Sequence, residues 1–205
     1  MKIQKRKCEK SSESCQPSLN IPASLLKMVD ILDAEFISKV FGKFRKDDIG
    51  LLCRQDTVLV DIGRRLWSKD KRAGVRKSVM TDMRRLAGLY LALKDTQGNL
   101  GPLPVYAQNV SDLMQRSNFR HLEEAVKKFT ECEKGSDVVG IKTGLKLGLF
   151  YLLKSASKIH RATFLMDDQD SEAEQIDTFT AVLNLQQNNA FGDATYHLHQ
   201  NREES

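Results

Sequence analysis

Between Arg45 and Leu93 two helix-patterned segments are joined by a short stretch dense in cations, and this pairing limits the fold more than any other feature of the chain. Apolar residues recur at spacings of three and four on both sides of the join, the period of an amphipathic helix. Val58, Leu59, Ile62, Leu66 and Trp67 form the first stripe, with Asp56 near its start and Lys69 past its end, as the helix dipole prefers. Val79, Met83, Leu86, Leu89, Tyr90 and Leu93 form the second, over a helix expected from Ser78 to Lys94. The connector KDKRAG contains Gly74 and is too charged to be buried. From Arg64 to Arg85 nine cations (Arg64, Arg65, Lys69, Lys71, Arg72, Arg76, Lys77, Arg84 and Arg85) stand against two acids, Asp70 and Asp82, a local net of +7. Such a surface requires an acidic partner or extensive hydration.

The helical period holds along most of the chain. Pro22 suits a first helical turn, and Leu25, Leu26, Val29, Leu32, Phe36, Ile37 and Val40 follow it at helical spacing. Asp47 or Asp48 is placed to cap a short helix carrying Ile49, Leu52 and Cys53. The loop from Thr96 to Pro104 is a break. Helical patterns resume at Val105 to Met114, Phe119 to Phe129, Thr143 to Ile159 and Ser171 to Leu185, with a last short one from Gly192 to Gln200. No strand alternation of useful length appears. The expected fold is therefore all-α, an irregular bundle of about seven or eight helices around one core. It should occupy residues 21–200 as a single domain, between a disordered basic tail at 1–20 and a disordered end at 201–205.

No apolar run approaches the roughly 18 residues of a membrane span. The longest candidate, Leu145 to Leu153, is interrupted by Lys146 and closed by Lys154. The N-terminus is Lys-rich but lacks the apolar centre of a secretory signal, so the expectation is a soluble intracellular protein with no membrane partner. Lys2, Lys5, Arg6, Lys7 and Lys10 suit a nuclear import signal; without one, the protein would be cytoplasmic. Cys8, Cys15, Cys53 and Cys132 are too unevenly spaced for a disulfide framework, and the four histidines do not complete a Cys/His quartet for zinc. Neither metal nor any other cofactor is expected.

Charge is segregated along the chain. Residues 1–20 carry a net of +3, residues 21–160 a net of +9 and residues 161–205 a net of −7. The acidic run DDQDSEAEQ, from Asp167 to Gln175, is either a solvated helix start or a segment that folds back over the basic surface and competes with an anionic partner.

Catalytic patterns are missing: there is no glycine-rich dinucleotide or phosphate loop and no nucleophile elbow. His121, beside Glu123 and Glu124, reads as a surface residue rather than a general base. His197 and His199, two apart, face different sides of a helix, and Cys53 has no base nearby in sequence. No small-molecule substrate is implied. Trp67 near the cations suits base stacking, but its place on the stripe with Ile62 and Leu66 favours core packing.

The runs RKDDIGLLCRQDTVLVDIGRRL, VMTDMRRLAGLYLAL and TGLKLGLFYLLKSASKI together carry a resemblance. Over roughly Phe36 to Leu198 the chain resembles the N-terminal part of long animal proteins related to the tyrosine recombinases of Crypton-type mobile elements. The resemblance implies a SAM-like core-binding module, which in such enzymes clamps DNA from the face opposite a phage-integrase-like catalytic domain. That domain should carry an Arg, a His-x-x-Arg box and a later nucleophilic Tyr. Here the one such box is His199 to Arg202, close to Ser205, and Tyr196 precedes it, which is the wrong order. The chain accordingly reads as the pre-catalytic half, and whether the gene runs on past Ser205 decides whether the whole is an integrase-like protein.

Two functions follow as expectations. The first is a catalytically inactive DNA-binding module, phosphate-dominated and without sequence specificity, using the nine cations from Arg64 to Arg85. The second is a protein-interaction module whose basic face meets an acidic protein or the chain's own acidic C-terminal segment, in one copy or between two. Tyrosine recombination needs several cationic groups converging with the nucleophile on one phosphate. Without the ordered box, no covalent protein–DNA adduct is expected on suicide substrates that trap such links. An adduct lost on Tyr196→Phe would overturn the non-enzymatic reading.

Overall fold

A computed structural model describes residues 34–69, 73–101, 108–134, 138–141 and 143–192. Among them eight α-helices and one hairpin follow in order: α1 (Ala34–Lys39), α2 (Asp48–Gln55), α3 (Thr57–Lys69), α4 (Ala73–Asp95), α5 (Gln97–Leu100), α6 (Phe119–Thr130), β1 (Glu131–Lys134), β2 (Val138–Ile141), α7 (Thr143–Met166) and α8 (Asp170–Leu185). Short 3-10 turns occur at Phe41–Lys43, Val110–Met114 and Arg116–Asn118, and residues 187–192 are helical again. The fold is an all-α irregular bundle, and none of its described helices is long and apolar enough to cross a membrane.

Helix α4 is the axis of the bundle. Its stripe of Val79, Met83, Leu86, Leu89, Tyr90 and Leu93 is buried throughout, covered by α2, α3, α6, α7 and the turn at Val110–Met114. Helices α3 and α4 approach closely because Gly63 leaves room for Met83; a β-carbon at Gly63 would run into Met83 Sδ. Helix α8 lies along α7 and sends Ala173, Ile176, Phe179 and Leu183 inward. Burying Ile176, Phe179 and Leu183 contributes about 1.5–3 kcal/mol each.

Local chemistry fixes the helix ends. Asp47 caps α2, accepting from the Gly50 N–H at 2.6 Å. Helix α7 stops where Asp168 turns left-handed (φ 55°), a conformation that Asp tolerates, and the Gln169 N–H donates back to the Phe164 carbonyl at 2.9 Å. That reversal folds α8 against α7.

Several expectations need correction. Helix α4 begins at Ala73, not Ser78, so Gly74 lies inside a helix and the charged connector is shorter than KDKRAG. The loop after Thr96 holds the helical turn α5. Helix α7 runs on to Met166, past Ile159. The antiparallel pairing of β1 with β2, from Glu131↔Ile141 to Lys134↔Val138, was not legible, because four-residue strands are too short to display alternation. The expected helix through Leu25 and Leu32, the N-terminal tail and the segment with Tyr196, His197 and His199 lie outside the described residues.

Asp56 ties distant parts of the chain. Its carboxylate accepts from the Leu59 N–H at the start of α3 and from the Val110 N–H, each at 2.8 Å, while burial pushes its pKa up against those hydrogen bonds. Asp56→Ala would strip a cap and leave two buried donors unpaired, costing about 2–4 kcal/mol. Urea unfolding should show that loss, with Asp56→Asn intermediate because its amide can accept from only one of the two. A change under about 1 kcal/mol for Asp56→Ala would contradict this account.

Candidate nucleic-acid interface

The structure distributes the cations of the Arg64 to Arg85 segment over several surroundings. Arg64 Nη2 and Arg65 Nε both donate to Asp61, at 2.8 and 2.9 Å, and Thr163 Oγ1 of α7 donates to the same carboxylate at 2.9 Å. Burial raises the Asp61 pKa, but Arg64, Thr163 and Arg65 outweigh it and leave the carboxyl below its ordinary value. Arg85 pairs loosely with Asp82 at 3.4 Å, and its Nη1 lies 4.0 Å from where a Gly148 β-carbon would stand on α7. Lys69 ends α3 exposed, and Lys77 is exposed on α4. Lys71, Arg72 and the Arg76 side chain lie outside the described residues.

Arg84 is held differently. Its guanidinium forks onto Asp47, Nη1 to Oδ1 at 3.0 Å and Nη2 to Oδ2 at 2.7 Å, the bidentate geometry that suits carboxylate or phosphate. This pair spans 37 positions of sequence and docks α4 against the loop before α2. The same loop is pinned by Arg54 Nη1, which donates to the carbonyls of Phe44 at 3.1 Å and Arg45 at 3.4 Å. It is also closed tightly over Gly50, where a β-carbon would meet the Arg45 carbonyl.

The result is a groove of about 420 Å³ between that loop and α4, lined by Lys43, Arg45, Lys77 and Arg84 with Met80 and Thr81. Lys43, Arg45 and Lys77 are exposed. Two of the nine sequence candidates, Lys77 and Arg84, thus meet two cations that sequence reasoning passed over. The signal for Lys43 and Arg45 was present, since both adjoin the Asp47 cap. What was missing was the long-range Arg84 contact that brings α4 to them.

Trp67 is buried at 2% exposure, which removes it from any stacking role. Cys53 is a buried free thiol whose pKa burial pushes up to about 12, so it behaves as a small apolar side chain. His121 requires correction: it is buried, not on the surface. It falls on the stripe of α6 with Leu122, Ala125 and Val126, and its Nδ1 lies 2.8 Å from Thr96 Oγ1. The Thr96 hydroxyl donates to the Leu93 carbonyl at 2.7 Å, so the His121 ring donates to Thr96 through Nδ1–H. No family model, curated protein or solved structure matches this chain.

The Asp47–Arg84 pair carries a pH signature. Hydrogen bonds from Arg84 and Gly50 pull the Asp47 pKa down to about 2, below its unfolded value. A depressed carboxyl pKa adds stability above the unfolded value and loses it as pH falls through the folded one. Wild type should therefore melt above Asp47→Asn at pH 7, with the gap closing between about pH 4 and pH 2. A gap constant across that window would refute the assignment.

Proposed function

We propose that this chain is a non-catalytic DNA-binding module, related to the pre-catalytic, DNA-clamping part of Crypton-type tyrosine recombinases, that grips duplex phosphates without reading sequence. The groove of Lys43, Arg45, Lys77 and Arg84 carries the reading, because it sets two cations of a loop fixed by Arg54 and Asp47 against two on α4. The pinned loop and the helix keep these cations together without a backbone rearrangement on binding, and the released counterions supply the affinity. In this reading the helical bundle stands for the SAM-like core-binding module, and a DNA partner implies a nuclear location.

A second reading keeps one observation of its own. The exposed acidic residues Asp167, Asp168 and Asp170 sit where α7 turns into α8, and Asp167 lines one cavity with Arg64 and Arg65. That arrangement suits an interaction module whose basic face meets acidic protein, including another copy of this chain.

Salt titration on random duplex DNA tests the first reading. Four phosphate contacts should give log Kobs against log salt a slope of about −3.6, and Lys43→Ala/Arg45→Ala/Lys77→Ala should shrink it by about 2.7. Arg84 is kept in this series because its loss would also undock the loop. An unchanged slope would dismiss the groove as the contact. Sedimentation without DNA tests the self-association form of the second reading, which requires a dimer that dissociates between about 50 and 300 mM salt.

A further inference from the structure

A second cavity, of about 540 Å³, opens between the start of α3 and the end of α7 and shares no lining residue with the basic groove. Asp61, Arg64 and Arg65 line it from α3, His160 and Thr163 from α7, and Asp167 from the turn after α7. Its size is that of a small-ligand site. His160 is 8% exposed, and its Nε2 has no hydrogen-bond partner; the buried Nε of Arg64 has none either. Buried polar atoms without partners are rare, because each costs about 1–3 kcal/mol of desolvation. Among the described residues six buried side-chain atoms stand so, and two of the six belong to residues that line this cavity.

The donors define what would repair it. A guanidinium offers five N–H groups and no acceptor. Arg64 commits Nη2 to Asp61 and Arg65 commits Nε, which leaves each with donors unspent. The complement is an oxyanion, phosphate or carboxylate, since charge-assisted hydrogen bonds to such groups are the strong ones. Val58 and Met166, the latter 62% exposed, give the cavity apolar walls that would take an uncharged body.

We propose that the cavity between α3 and α7 binds a small organic oxyanion, held by Arg64, Arg65 and His160 with its apolar part against Val58 and Met166. Arg64 and Arg65 are two of the cations first assigned to DNA; here their place beside a buried histidine gives them a ligand of molecular size. Asp61 steers both guanidinium groups toward the cavity, and Asp167 at the rim opposes the anion. His160 stands neutral in its buried setting, against the pull of Asp61, and a bound anion would favour its protonated form.

The experiment titrates the full chain with phenyl phosphate, benzoate and benzyl alcohol while following the His160 ring by NMR. One or both anions should shift the ring signals and benzyl alcohol should not; the better anion identifies which oxyanion the site prefers. Arg65→Gln should weaken binding about tenfold or more. Asp167→Asn, at an exposed position, should strengthen it about two- to threefold, a gain that damage to the fold cannot mimic. Lowering the pH from 8 to 5.5 should tighten binding of benzoate, which stays ionised over that range, in wild type and leave benzoate binding to His160→Gln, read by calorimetry, unmoved, the facing charges being Asp61, Arg64, Arg65 and Asp167. No ring shift with either anion at about 10 mM, equal binding of benzyl alcohol, or weaker binding by Asp167→Asn would overturn the proposal. The variant Lys43→Ala/Arg45→Ala/Lys77→Ala should bind the anions as wild type does, so failure of the DNA reading and failure of this one remain separable.

Discussion

The apolar stripe of α4 has to be covered along its whole length, and most of the architecture answers that demand. A helix of 23 residues cannot bury both ends of one stripe against a single short neighbour. It therefore collects α3 at Met83, α2 and the Val110–Met114 turn along its middle, and α6 near Gly88, where Phe129 fills the space a β-carbon would need. The residues between the stripe positions are then forced outward, and these include Lys77, Arg84 and Arg85. The same packing that builds the core thus decides on which sides of α4 its cations emerge. Lys77 and Arg84 face the loop before α2, whereas Arg85 turns toward α7.

Counting charge along a chain overstates what is offered to a partner. The segment from Arg64 to Arg85 has a net of +7, yet two of its arginines spend hydrogen bonds on Asp61 and a third on Asp47, both outside the segment. The Asp61 contacts were within reach of helical spacing, since Arg64 and Arg65 follow it at i+3 and i+4. The Asp47 contact was not, because nothing local predicts a partner 37 positions away. An arginine engaged by a carboxylate on one edge still presents its other donors. Paired guanidinium groups thereby become oriented ones, a different resource from free surface charge.

The parts of the fold legible in sequence are those governed by neighbours within a turn or two. The stripes of α3 and α4 and the extents of α6 and α8 came from i+3 and i+4 spacing, and the cap of α2 was narrowed to Asp47 or Asp48 by residue type. Hairpin β1–β2 and the first turn of α4 escaped because short strands carry little pattern and a charged helix start looks like a loop. His121 was misjudged through its neighbours: Glu123 and Glu124 belong to the solvent side of α6, while His121 shares the buried side with Leu122 and Ala125. Of the basic groove, half the cations were named, and the other half required the tertiary contact. The α3–α7 cavity was invisible, since its walls are about 100 residues apart, as the Asp61–Thr163 hydrogen bond across 102 positions records.

The acidic C-terminal portion also changes meaning once folded. Its charge suggested a tail that could swing over the basic surface, but α8 is anchored by Ala173, Ile176, Phe179 and Leu183 in the core and by the Arg161–Asp177 pair at 2.7 Å. Removing it would expose the partners of four buried side chains, so truncation near Ala162 reports on folding before it reports on charge. Any competition between these acids and an anion is accordingly short-range and fixed in place. Asp167, at the α7–α8 reversal beside the left-handed Asp168, lines the cavity of Arg64 and Arg65 and not the groove at Arg84.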